Sequence, residues 1–219
     1  MRKSAIPSKS KPTTNCWVGR FTVKGVNDMA ITPEYKEHMG KEHDGSKWGT
    51  TGWKYSGDLM VKAIESRPYV KTVLDFGCGK GTMKKYIEDH FRGKRDLEIY
   101  EFDPGIPGKD MMPEGPFDMV MSSDVLEHVE PHLLDDTIRQ LEKLTRWVMC
   151  HDIACSPTFK TFAEGPYIGQ DLHLTVEEPV WWRNKFKEVC GLWEAEYAHR
   201  EKASNKGPKP RCWLIHERV

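Results

Sequence analysis

The apolar positions of this chain switch repeatedly between two patterns, and the switching predicts an α/β fold. Short apolar runs occupy positions 70–76, 97–102 and 147–153. A fourth starts at Phe117 and breaks at Ser122 and Ser123 into a polar, acid-rich turn. Runs of this length, bounded by glycine, proline or acids, read as buried parallel strands. Between them the spacing becomes helical. Thr32 followed by Pro33 opens a short helix that Gly40 would close. Positions 57–66 set Leu59, Val61, Ala63 and Ile64 partly on one face before Pro68. A helix over 82–91 follows the first strand, and Pro131 opens another to position 144, with Leu133, Leu134, Ile138, Leu141 and Leu144 at helical spacing. A last helix spans 179–189, and strands at 192–199 and 211–217 flank the turn SNKGPKP. Strands alternating with helices imply crossover connections and a mostly parallel sheet, with a closing hairpin that adds one antiparallel strand.

The chemistry concentrates where strands end. Residues 73–81 read VLDFGCGKG, an apolar run that stops at Asp75 and passes into Gly77, Gly79 and Gly81. A strand turning sharply into a helix uses glycine where positive φ or close backbone approach is required. The helix amino end then offers unpaired N–H groups and the positive end of its dipole. The second strand ends in YEFDP, with Glu101 26 residues after Asp75, where an acid meets a ribose in open α/β sheets. The third tip is the SSDVLEHV turn, so three strand ends converge on one edge.

In that order, VLDFGCGKG, YEFDP and PFDMVMSSDVLEHV resemble the class I S-adenosylmethionine-dependent methyltransferases, particularly the small single-domain type. The resemblance implies a doubly wound, mostly parallel, seven-stranded α/β sheet of Rossmann-like type with an antiparallel closing strand. It also implies that Asp75, Gly77, Cys78, Gly79 and Gly81 cradle the methionine part of S-adenosylmethionine. Glu101, beside Phe102, becomes the ribose acid, with Asp103 as second choice; Asp110 and Met111 cover the adenine; Ser122 and Ser123 complete the cofactor edge. Without the later glycine of the dinucleotide pattern, an NAD site is the lesser reading. An H-L segment before a W-W pair is similar to uncharacterised phage and bacterial gene-cluster methyltransferases, a likeness that names no substrate.

A sulfonium is already an activated methyl donor, so the protein must hold the acceptor in line and accept its proton. Asp124 and His128 leave the fourth strand toward the cofactor edge, and His173 stands in a long insertion; these are the catalytic candidates. The plainer alternative has Asp124 capping the turn and His128 pairing with Glu127 or backbone. Segments 40–57, with His43, Trp48, Trp53 and Tyr55 among glycines, and 156–182 are expected to act as lids.

Composition narrows the class. The chain has 219 residues, 38% hydrophobic and 30% charged, as expected for one globular α/β domain over 31–219 behind a basic tail over 1–30. No run approaches the ~20 apolar residues of a membrane span, and the first residues lack the apolar core of a secretory signal. A cytoplasmic protein is therefore expected. Six cysteines without a C-x-x-C pair argue against zinc and against disulfides, and no metal is expected.

The zero net charge hides basic ends: Arg2, Lys3, Lys9, Lys11, Arg20 and Lys24 stand in residues 1–27 without one acid. Basic termini could reach nucleic acid. However, the fourth-strand turn is not the D-P-P-Y type of DNA amino methylation, and no Pro-Cys exists for cytosine methylation. A ribose 2′-hydroxyl set is matched only in order by Lys54, Asp124, Lys160 and Glu194. A small-molecule or sugar-like acceptor methylated on O or N is thus the leading expectation. The alternatives are a nucleic-acid methyltransferase and an S-adenosylmethionine-binding protein or lyase without methyl transfer.

Overall fold

A computed structural model describes residues 31–44, 48–202 and 209–219. The basic N-terminal tail and the SNKGPKP turn, except Lys209 and Pro210, lie outside them. The apolar runs become strands β1 (Thr72–Phe76), β2 (Glu98–Phe102), β3 (Phe117–Ser123), β4 (Thr145–Ala154), β5 (Trp193–Lys202) and β6 (Lys209–Glu217) in one sheet of order β2-β1-β3-β4-β6-β5. The first four are parallel to one another, and β6 runs antiparallel to both β4 and β5. The single reversed strand expected at the carboxyl end is therefore present.

Successive residues along the central strands serve opposite faces, as the period of two requires. Val73, Met119, Met121, Val148, Cys150 and Ile215 pack with Met60, Ile64, Met83, Ile87 and Phe91 of helices α2 (Trp53–Glu65) and α3 (Thr82–Phe91). Leu74, Val120, Met149, Ile153 and Leu214 pack with Ile138, Leu141, Trp182 and Phe186 of helices α4 (Leu134–Leu144) and α5 (Pro179–Val189). Three layers result, with the sheet in the middle.

The expectation of seven strands is corrected to six among the described residues. The missing strand should follow β2, near Asp110 and Met111, but positions 103–116 run as turns and loop. Four prolines and three glycines in those fourteen positions remove ladder donors and backbone stiffness, so no strand forms there. Helix α1 (Pro33–His43) is also longer than expected, passing through Gly40 to a cap at Asp44. Its amino end matches the sequence reading, with Thr32 Oγ1 accepting the Tyr35 N–H at 3.3 Å. Helix α2 starts at Trp53, four residues before the expected position 57. Pro131 opens a short 3-10 turn, and the α-helix proper begins only at Leu134.

The segment 40–57 contributes the end of α1, a docked loop and the start of α2. The insertion after β4 has no regular strand, and its Phe162 and Leu172 bury against Ile31 and Tyr35. Glu130, fully buried, joins these parts: it accepts from Thr32 N at 2.7 Å, Thr32 Oγ1 at 2.9 Å and Tyr167 Oη at 2.6 Å.

Candidate active site

At the carboxyl edge of the sheet, a cavity of about 640 Å³ opens between the strand tips, α1, the 48–55 stretch and the insertion. Its first wall is the turn after β1. Gly77 and Gly79 have φ of 73° and 53°, and both positions are crowded. A Cβ on Gly77 would stand 2.4 Å from a Val125 methyl, and one on Gly79 would stand 2.5 Å from the Gly49 carbonyl oxygen. The glycines thus serve the chain's own packing as well as any ligand. The turn is bolted to its neighbours: Gly77 N and Cys78 N donate to Phe102 O at 2.7 and 3.1 Å, Gly79 N donates to Asp103 Oδ2 at 2.9 Å, and Lys80 N to Gly49 O at 2.9 Å.

Asp75, next to last in β1, stands on this wall, buried, with Oδ2 lacking any hydrogen-bond partner. Burial, then the nearby Glu101 carboxylate, push its pKa up to about 7, against the usual value near 4. Burial likewise raises the Cys78 thiol, so the thiol stays protonated and inert.

The two acids of the second strand tip part company. Asp103 lines the cavity, where it accepts Gly79 N and Gly105 N, each at 2.9 Å, and lies 3.6 Å from His43 Nε2. Glu101 does not line it; its carboxylate is held by Lys109 Nζ at 2.9 Å and Lys84 Nζ at 3.9 Å. Phe102 lines the cavity. Gly81 caps α3 with φ 79° but is not part of the lining. Asp110 pairs with Lys36 at 3.0 Å and Met111 is 81% exposed; neither reaches the cavity.

At the third tip, Ser123 faces the cavity and its hydroxyl shares a 2.6 Å hydrogen bond with Ser56, whereas Ser122 is buried against His151 Nδ1 at 2.8 Å. Asp124 follows with φ 55°, uncommon for a residue bearing Cβ. Its N–H donates to Asp152 O at 3.0 Å, and its Oδ1 accepts from Arg211 Nη2 at 2.6 Å. The Arg211 guanidinium also grips both Asp152 oxygens through Nε at 3.1 and 3.0 Å and lies over the Tyr55 ring. Burial alone would lower the Arg211 pKa, but the half-buried Asp124 and the buried Asp152 carboxylates hold it above its usual value.

His128 and His173 complete the far wall, their rings edge to face at 4.7 Å. Burial, and the neighbouring His173, lower the His128 pKa to about 4; burial lowers His173 as well. Both imidazoles are thus neutral at pH 7, with lone pairs available to a proton donor or a metal ion. The buried Glu127 carboxyl, 4.0 Å from His173 Nε2, is held well above the carboxylate range by burial and by Asp124.

Of the ribose-methylating set, Asp124 and Lys160 line the cavity while Lys54 and Glu194 do not; Glu194 pairs with Arg183 at 2.7 Å. Sequence reading passed over Arg211 and Tyr35, because both reach the cavity through pairings distant in sequence. The apolar inward pattern of the last strand marks Arg211 as its odd member, and that charge among buried neighbours is the signal that could have found it.

Solved structures share this architecture. Magnesium protoporphyrin IX methyltransferase from Synechocystis PCC 6803, with bound SAH, superposes with a TM-score of 0.55 at 16% identity, covering 77% of this chain and 84% of that one. The 1,6-didemethyltoxoflavin-N1-methyltransferase of Burkholderia thailandensis gives 0.54 at 14% identity over 84% of each chain. Human N-acetylserotonin methyltransferase in complex with SAM gives 0.52 at 10%, over 80% of this chain and 56% of that one. At such identities the likeness is one of fold. No curated protein sequence matches the chain. The family model of the methyltransferase domain matches residues 54–199, from the start of α2 into β5, and the chain belongs to that methyltransferase family.

Proposed function

We propose that this methyltransferase, with S-adenosylmethionine as its methyl donor, acts on a small-molecule or sugar-like acceptor at oxygen or nitrogen. The observation that carries the reading is one continuous cavity lined both by the glycine turn of β1 and by a separate polar wall. Asp75, Gly77, Cys78 and Gly79 stand on the first part; Asp124, His128, His173 and Arg211 stand on the second.

The residues present fit the donor. A buried Asp75 oxygen without a partner is a group that a ligand's cationic or N–H donor would satisfy. Asp103, rather than Glu101, is the acid of the second tip that lines the cavity, and we assign it to the ribose hydroxyls, with Phe102 and Ser123 beside it. When bound, the sulfonium supplies an electrophilic methyl group. The chain's own work is then placement and exclusion of water. Trp48, Trp53 and Tyr55 close the cavity with apolar ring surface, and Asp124 is held rigid by Arg211.

Small size of the acceptor is supported by the volume of the cavity, about 640 Å³, which the donor would share. It is in line with the relatives named above, one of which was solved with bound 1,6-didemethyltoxoflavin. The test is transfer of labelled methyl groups to fractionated cell extract. Label is expected in a low-mass fraction, and Gly79→Val should abolish S-adenosylmethionine binding in calorimetry. Label in RNA or DNA instead would overturn the acceptor class, and tight cofactor binding with no labelled product in any fraction would overturn methyl transfer.

A further inference from the structure

The far wall holds a second group of donors that methyl transfer alone does not require. Glu127 and His128 belong to the 3-10 turn after β3, and His173 comes from the insertion after β4. A backbone hydrogen bond from Thr175 N to Glu127 O, 3.0 Å, docks the insertion on that turn. One ligand-type atom from each of the three side chains lies within 4.8 Å of the other two.

The hydrogen bonds around these atoms fix which of them carry protons. His128 Nδ1 is 2.8 Å from Leu172 O, and His173 Nδ1 is 2.6 Å from Ser156 O. A carbonyl oxygen only accepts, so each Nδ1 holds a proton and donates it. In a neutral ring the lone pair then sits on Nε2, and the Nδ1–H to backbone bond is the outer contact that orients metal-bound histidines. Glu127 is fully buried; Oε1 accepts Ala154 N at 3.0 Å, while Oε2 has no hydrogen-bond partner. Glu127 Oε1 lies 4.0 Å from His173 Nε2, whose ring packs against that of His128, so two imidazoles and a buried carboxyl group with one unpartnered oxygen share one spot.

We propose that Glu127, His128 and His173 bind one divalent transition-metal cation. Two imidazoles and one carboxylate suit zinc, cobalt or manganese better than calcium or magnesium, which prefer all-oxygen shells. Zinc sits about 2.0–2.1 Å from such ligands, so the three atoms need to close up by roughly 1 Å, within reach of side-chain rotation. Asp124 is outside the set because Arg211 already holds it. Three protein ligands leave coordination positions open, and since both histidines line the cavity, those positions face it. A role for the cation in gripping an acceptor oxygen rests on the acceptor reading above; the site itself does not. The competing arrangement, a protonated Glu127 shared with one imidazole, would bind no metal.

The experiment uses the full chain stripped by a chelator and titrated with Co2+, whose visible absorption reports coordination, and with Zn2+ in calorimetry. One ion per chain is expected for each. His173→Ala should weaken binding by about 100-fold or more while circular dichroism shows an intact fold, and Glu127→Gln, nearly isosteric, should do the same. S-adenosylmethionine binding, measured separately on each protein, reports on the methyltransferase reading independently. A wild-type chain that binds S-adenosylmethionine but neither ion, or unchanged ion affinity in both variants, would overturn the site.

Discussion

Asp75 shows how one residue can tie the cofactor pocket to pH. Its carboxyl is buried, partly unpaired and pushed up to about 7, chiefly by burial. A folded-state pKa above the unfolded one means that the native chain holds the proton more tightly. The stability this group contributes is complete below about pH 4 and is lost as pH rises to about 7. A cationic ligand reverses the preference, because it favours the ionised carboxylate. Affinity for S-adenosylmethionine should therefore rise about tenfold between pH 6 and 8, and Asp75→Asn should lower affinity and flatten that dependence; a flat wild-type profile in calorimetry would contradict it. This residue was legible because it ends an apolar run next to glycines. So were Gly77, Gly79, Ser123, Asp124 and His128, each within a few positions of a strand tip. Arg211 and Tyr35 were not, since strand pairing and helix docking carry them to the cavity from distant sequence. Glu127, His128 and His173 have no metal-ligand spacing for the same reason: the docking of a loop, not the spacing, joins them.

Among the described residues, the apolar period located each of the six strands and misplaced mainly their ends. The seventh strand failed for a local reason, the prolines and glycines between β2 and β3, which family likeness outweighed in the reading of the sequence. Helix α4 is the clearest success. Leu134, Ile138, Leu141 and Leu144 are all buried against the sheet, whereas Leu133, on the preceding 3-10 turn, is only partly buried. Removing the Ile138 side chain beyond Cβ leaves a cavity in the layer between α4 and the sheet. Ile138→Ala should cost about 2–5 kcal/mol, and Leu133→Ala about 1 kcal/mol, read from urea denaturation midpoints at constant slope. Equal losses would mean that the helix does not present the face described.

For the whole molecule, the distribution of charge decides between acceptor classes. The sequence places basic groups at both ends, which favoured nucleic acid as the alternative partner. At the carboxyl end three of the six Lys and Arg in residues 198–219 are already committed: Arg200 pairs with Asp152 at 3.3 Å, Arg211 with Asp124 and Asp152, and Arg218 donates to the Glu142 and Thr145 carbonyls. Cations engaged in this way release few counterions on meeting a polyanion, so they add little to nucleic-acid affinity. The other basic cluster is the N-terminal one, with six Lys and Arg in residues 1–27 and no acid. Deleting residues 1–30 separates the two classes. On the small-molecule reading the deleted chain keeps its kcat/KM within about twofold, because the glycine turn and the polar wall named above stand at positions 75–79 and 124–211. An enzyme that needs the tail to hold RNA or DNA loses affinity and its steep salt dependence together. Unchanged turnover of a small acceptor by the deleted chain, with negligible RNA binding by the full chain at low salt, is the expected pair of results.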